Sequence, residues 1–319
     1  MDDRSLSATW GRRCRARAAL ADELLGHEPI ESARGEQRMW VGQDEHDRHF
    51  GVVRVRGDSG AIFLSSLLVS YLDMLDDVER GGTSLSQAQW TDLLRVPKLI
   101  FDFAARRPAL AAGGNDVPVP VGRGELLPQR RWDVGHRLFF TLLQTMTQMV
   151  ASLSGAARAG DEADAREFVE LLRLTTLGCT ASLRLTADFS IVDYELGVRP
   201  TMLPPHVRPG FSGLQTRDHY RLLQALRKLQ VDMPTVIPLG EPHAELIAAV
   251  RGLHDAHAYV CTRFGGATGP SLRMAALGQS AVKGVEALRG LARRRELLLA
   301  PPPTMTSRAH PLSGEDGHD

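Results

Sequence analysis

The chain has almost no lysine. Of its 38 basic residues only Lys98, Lys228 and Lys283 are lysines, and 38 acidic residues balance the total to a formal charge of zero. Without a surplus of positive charge there is no electrostatic footprint for nucleic acid or an anionic membrane. The bias toward Arg and Ala reads as GC-rich codon usage, with no functional content. Cysteine is equally scarce. Cys14, Cys179 and Cys261 are three, an odd number, and far apart, which argues against a disulfide framework and for a reducing cytoplasm. Long apolar runs are missing too: the longest, Ala61 to Leu75, is broken by Ser65, Ser66, Ser70 and Asp73 and is too short and polar to span a bilayer. The start, Met1-Asp2-Asp3-Arg4, lacks the charged-then-apolar pattern of a signal peptide. A soluble, cytoplasmic protein of 319 residues is expected, with ample length for a large core.

What is present is helical periodicity. Apolar residues recur at helical spacing over Ser7–Leu25, Ala61–Val78, Arg131–Ser154, Glu162–Ala187, Thr216–Leu229, Glu241–Arg263 and Ser271–Leu298. Thr83-Ser84-Leu85-Ser86 caps a further helix that carries Trp90 and is expected to break at Pro97 before resuming through Phe103. Residues 108–129 read as a long loop, Met39–Val55 leaves room for a short strand pair, and 301–319 reads as a disordered tail. The expectation is an all-α fold: one domain over 1–300, of roughly ten helices.

The most telling stretch is Leu253-His254-Asp255-Ala256-His257-Ala258-Tyr259-Val260-Cys261, followed by Thr262-Arg263-Phe264-Gly265-Gly266-Ala267-Thr268-Gly269. Spacing i, i+4 puts His257 and Cys261 on one helical face, a turn apart. An imidazole there can ligate an iron while the thiol reaches a macrocycle edge, as in a histidine-ligated haem tethered by one thioether. The same spacing also suits a helix with one partly buried His and one inert Cys. Zinc held by His254, His257 and Cys261 is a third reading, but i, i+3, i+7 on one helix makes a poor four-ligand cage.

Three segments read together carry a resemblance: Asp188-Phe189-Ser190 through Val198-Arg199-Pro200-Thr201-Met202-Leu203-Pro204-Pro205, then Gly210-Phe211-Ser212-Gly213-Leu214-Gln215-Thr216-Arg217-Asp218-His219, then His257 to Ser271. Over roughly residues 185–290 the chain resembles the histidine-ligated haem-dependent aromatic oxygenases, the superfamily of the tryptophan and indoleamine 2,3-dioxygenases. Within it, His219 upstream of His257-x-x-x-Cys261 is similar to the branch of 3-methyltyrosine hydroxylases of the saframycin pathway. The resemblance implies a helical fold around a haem, as in the indoleamine dioxygenases. It implies His257 and His219 as iron ligands, His219 doubling as the acid and base that handles peroxide protons, and Cys261 as a single thioether anchor. A b-type haem beside a free thiol would have the same sequence. It also implies a substrate loop of Gly265, Gly266, Thr268, Gly269 and Ser271, with Arg199 as a clamp for a carboxylate.

The activity so implied is ring hydroxylation of a tyrosine derivative to a catechol, in secondary metabolism. The partners are a small aromatic amino acid and hydrogen peroxide or dioxygen, with no nucleic acid, no membrane and a homodimer as the assembly to test. Alternatives are cleavage or rearrangement of a tryptophan derivative, or a non-enzymatic bis-His haem sensor. Other polar residues have plain readings. Tyr194 and Asp193 are candidates for the pocket wall, His136 for a core hydrogen bond or a haem contact, and His206 for an exposed loop. His46 and His49, among acids and Arg48, suggest a solvated turn. Cys179 in an apolar helix suggests a small core hydrophobe.

Overall fold

A computed structural model describes residues 28–29, 43–105, 117–211, 216–232 and 240–265, with positions 290, 293 and 299. Seven helices of a full turn pattern run through them: α1 (Gln43–His49), α2 (Ser59–Gly81), α3 (Gln87–Ala104), α4 (Pro128–Ala159), α5 (Glu162–Thr186), α6 (Arg217–Asp232) and α7 (Gly240–Gly265). Between α5 and α6, Ile191–Met202 forms a run of short α, π and 3-10 turns. The strand pair is Glu28–Pro29 against Val55–Arg56, antiparallel and two residues a side, so its first strand lies upstream of the expected place. The all-α reading stands. The expected helices at 7–25 and, apart from positions 290 and 293, at 271–298, with the tail at 301–319, lie outside the described residues.

Local chemistry sets the helix ends. Asp58 accepts from the Ala61 N–H, and Asp161 from the Asp164 N–H. Ser86 and Gln89 form a reciprocal capping box at α3. The long α4 opens on Pro128, whose missing N–H would have no helical partner anyway, and closes on Gly160 in the left-handed conformation. That glycine and Asp161 are the whole connection to α5, so α4 and α5 form a hairpin. The hairpin is the centre of the molecule: α4 is flanked by α2 and α6, and α5 by α3 and α7. One contiguous apolar core runs through these helices.

Pro97 does not break α3, contrary to expectation. A proline at 97 has no N–H for the Leu93 carbonyl, which is buried and would be left unsatisfied. The Tyr71 hydroxyl of α2 fills that vacancy, donating to the Leu93 oxygen at 2.8 Å. Close helix packing is enforced by two glycines. A Cβ on Gly178 of α5 would overlap Val96 of α3, and one on Gly135 of α4 would overlap Thr186 of α5. Arg131, fully buried, pairs with Asp77 and donates to the Gly82 carbonyl at 2.7 Å, tying α4 to the end of α2. Asp188 accepts from Thr83, Ser84 and Arg131, so the start of the resemblance segment is a structural staple.

Candidate functional site

Four helices enclose a cavity of about 850 Å³. On α4 the wall is His136, Phe139, Phe140, Leu143 and Met146; α6 gives His219, Leu222 and Leu226; α7 gives Val250, Leu253, His254 and His257. Each set follows helical spacing and so forms one stripe per helix. Leu172 and Leu183 of α5 complete the wall with Leu299. Among the described residues the lining is apolar except for four imidazoles, and none of their charged side chains enters it.

His219 and His257, the expected iron ligands, therefore reach the same cavity from different helices. His219 sits in the first turn of α6, 5% exposed, with its backbone N–H toward Thr216 Oγ1 at 3.4 Å. That turn is held from outside. Asp218, 3% exposed, accepts from Arg54 at 2.8 and 2.9 Å and from Gln144 at 3.0 Å. Arg54 also grips Asp47 of α1 at 2.8 and 3.0 Å. Burial works against the charge on Arg54, but Asp218 and Asp47 together outweigh it and push its pKa up. Arg217 to Asp44 at 2.6 Å adds a second tie between α6 and α1.

Cys261 lies one turn beyond His257, half-buried, with a free thiol that burial pushes up to about 11. Among the described residues no cluster of three or more His, Cys, Asp or Glu side chains can hold a metal ion, which leaves the zinc reading without support. Gly265 is the last residue of α7. Gly266, Thr268, Gly269 and Ser271 lie outside the described residues.

Arg199 is not brought to the cavity. It stands in the 3-10 turn and its guanidinium donates to Glu195 at 3.0 Å on the exposed side, because the two are four residues apart on one helical face. Tyr194 is buried but stacks on Phe264 at 4.1 Å and does not line the cavity, and Asp193 is exposed. His206 is exposed, as expected. His46 and His49 are not in a solvated turn. They belong to α1, with His46 stacked on Phe211 at 4.2 Å and His49 edge-on to Phe50 and Phe211 at 4.7 Å. Burial lowers His49 to about 4, so it is neutral near pH 7. Cys179 is buried against Met146, a small hydrophobe as read.

His136 and His254 also line the cavity, and the sequence reading gave neither a firm place there. A signal existed for His136: it heads the stripe His136, Phe140, Leu143, whose spacing of four and three residues marks one face. Its Nδ1 is 2.8 Å from the Trp132 carbonyl, and burial lowers its pKa to about 3.

Comparison with known proteins adds three findings. A family model described as SfmD 3-methyl-L-tyrosine peroxygenase matches residues 2–259, a stretch that includes His219 and His257 and ends just before Cys261. A 3-methyl-L-tyrosine peroxygenase of Streptomyces lavendulae is 28% identical over 315 residues, covering 96% of this chain and 82% of that one. A crystal structure of SfmD reduced by soaking with sodium hydrosulfite superposes with a TM-score of 0.61 at 25% identity, over 79% of this chain and 82% of that chain.

Proposed function

The chain belongs to the SfmD 3-methyl-L-tyrosine peroxygenase family, and from that premise we propose that it uses hydrogen peroxide to hydroxylate the ring of a tyrosine derivative, such as 3-methyl-L-tyrosine, to a catechol. The balance is simple: one peroxide oxygen enters the ring and the other leaves as water. The observation that supports this reading is that His219 and His257 share one apolar cavity.

The cavity residues fit a haem. Its donors are neutral-capable imidazoles and its described walls are apolar. His257 and His219 would hold the iron, with Cys261 as a single thioether anchor on the next turn of α7. When bound, the haem supplies the redox chemistry by which one peroxide oxygen reaches the ring. When it does not hold the iron, His219 would hold or move the peroxide proton, general acid–base help typically worth about 10²–10⁴-fold. The Arg54–Asp218 clamp fixes the turn that carries it. Leucine, phenylalanine and methionine side chains exclude bulk water. In this reading Gly265, Gly266, Thr268, Gly269 and Ser271 would supply backbone N–H groups and hydroxyls to the amino acid's charged end. Arg199, already paired with Glu195, has no part in this reading.

Protein isolated from haem-replete cells should show a six-coordinate, low-spin haem spectrum. His257→Ala should lose stable haem, while His219→Ala should keep haem in a five-coordinate or aquo form. With peroxide, 3-methyl-L-tyrosine should gain one oxygen. Unchanged haem in His257→Ala, or turnover of indole amino acids with refusal of every phenol, would overturn the reading.

A further inference from the structure

His136 is a hydrogen-bond acceptor with a fixed direction. A carbonyl oxygen only accepts, so the 2.8 Å contact to Trp132 places the hydrogen on Nδ1 and leaves the lone pair on Nε2. The ring cannot easily turn over, since it stacks on Phe50 at 4.5 Å and meets Trp132 at 4.3 Å between centroids. Protein surrounds it, and the part of its surface left open belongs to the cavity wall. Among the described residues Nε2 has no hydrogen-bond partner.

We propose that Nε2 of His136 accepts the hydrogen bond of the substrate's ring hydroxyl and so selects phenols over rings that lack one. The inference rests on the function proposed above and deepens it. A lone-pair acceptor in an apolar cavity needs a neutral donor. A carboxylate offers only lone pairs, and an ammonium would leave its water for walls of Phe139, Phe140 and Leu143 at large cost. The phenol O–H is the one polar group of a tyrosine derivative that is both a donor and uncharged. The aromatic end therefore enters first, and the charged end stays toward solvent. Because burial keeps His136 far less basic than a free imidazole, the phenol keeps its proton and the bond remains a hydrogen bond. It still draws electron density toward the phenol oxygen and hence to the ring carbon beside it, where hydroxylation occurs.

The test is calorimetric binding to the haem-loaded protein, without peroxide, of 3-methyl-L-tyrosine and of 3-methyl-L-phenylalanine, which lacks only the hydroxyl. The wild type should prefer the phenol by roughly 10- to 100-fold, the range expected when a buried acceptor is left unpaired. In His136→Leu that preference should fall below about threefold, the residue of ordinary solvation differences. His136→Gln, whose amide oxygen can occupy the Nε2 position, should restore most of it and guards against misfolding of the leucine variant. Equal binding of both compounds by the wild type, or a preference untouched in His136→Leu, overturns the role of His136 while leaving the peroxygenase reading intact. Failure of the wild type to bind either compound overturns both.

Discussion

Replacing Arg54 with Met removes a cation that two carboxylates share. The Arg54 side chain is 18% exposed, and those of Asp47 and Asp218 are 12% and 4% exposed. That burial lies outside the surface regime, where an ion pair contributes about 0–1 kcal/mol. Removing one partner of a buried pair strands charge and costs about 3–5 kcal/mol. The lower end is expected here, because Asp218 keeps its bond from Gln144. Two carboxylates stranded in this burial are worst tolerated when ionised, so protonation relieves the variant. The deficit against wild type should therefore be about 3 kcal/mol at pH 8 and shrink toward pH 4.5. Urea unfolding followed by far-UV circular dichroism at several pH values measures it. A loss under about 1 kcal/mol, or one that ignores pH, would show that Arg54 acts by packing alone. In the same variant His219 loses its fixed backbone, so the six-coordinate haem spectrum should weaken while His257 still retains haem.

Tyr71→Phe should cost about 1–3 kcal/mol by leaving the Leu93 carbonyl unpaired, whereas Tyr71→Phe combined with Pro97→Ala should recover most of the loss in the same urea titration. Gly178→Ala, which helix propensity alone would favour by about 1 kcal/mol, should instead destabilise by about 1–2 kcal/mol because its Cβ meets Val96; a rise in melting temperature would refute the contact. Burial raises the Asp133 carboxyl to about 6, so its stability contribution is present below pH 4 and is lost as pH rises through 6. Asp133→Asn should thus stabilise at pH 8, by no more than about 1 kcal/mol given its partial exposure, with the gain vanishing near pH 4. If Cys261 carries a thioether, acid-acetone should extract haem from Cys261→Ser but not from wild type, and the intact wild-type chain should carry the haem mass.

The helices from 59 onward were legible because each keeps an apolar stripe over many turns. Ala61–Val78 was short of Ser59–Gly81 by two or three residues at each end, where fraying and capping blur the pattern. His219 and His257, proposed above as iron ligands, were singled out through spacing and resemblance, and both line one cavity. Pro97 was misread because the remedy for its lost hydrogen bond comes from another helix, and no local pattern records that partner. His46 and His49 looked solvated for a related reason: acids and Arg48 flank them in sequence, while Phe50 and Phe211 cover them in space. Arg199 was credited with a clamp when its nearest anion was its own neighbour a turn away. The Arg54–Asp218 contact spans 164 positions and left no trace in periodicity.

The glycine contacts on α5 bear on how the pocket responds to its guest. Gly178 is meshed with Val96 on one side, and Thr186 is pressed on Gly135 on the other. A helix gripped at two points in its C-terminal half in this way can neither roll nor slip there by a fraction of a turn without a steric clash. The wall that bears Leu172 and Leu183 is then a fixed template. Compounds of different girth must be accommodated by α6 and α7, which carry the histidines. Ring size and the positions of His219 and His257 become mechanically linked, so a poorly fitting guest would displace those side chains and not merely bind weakly.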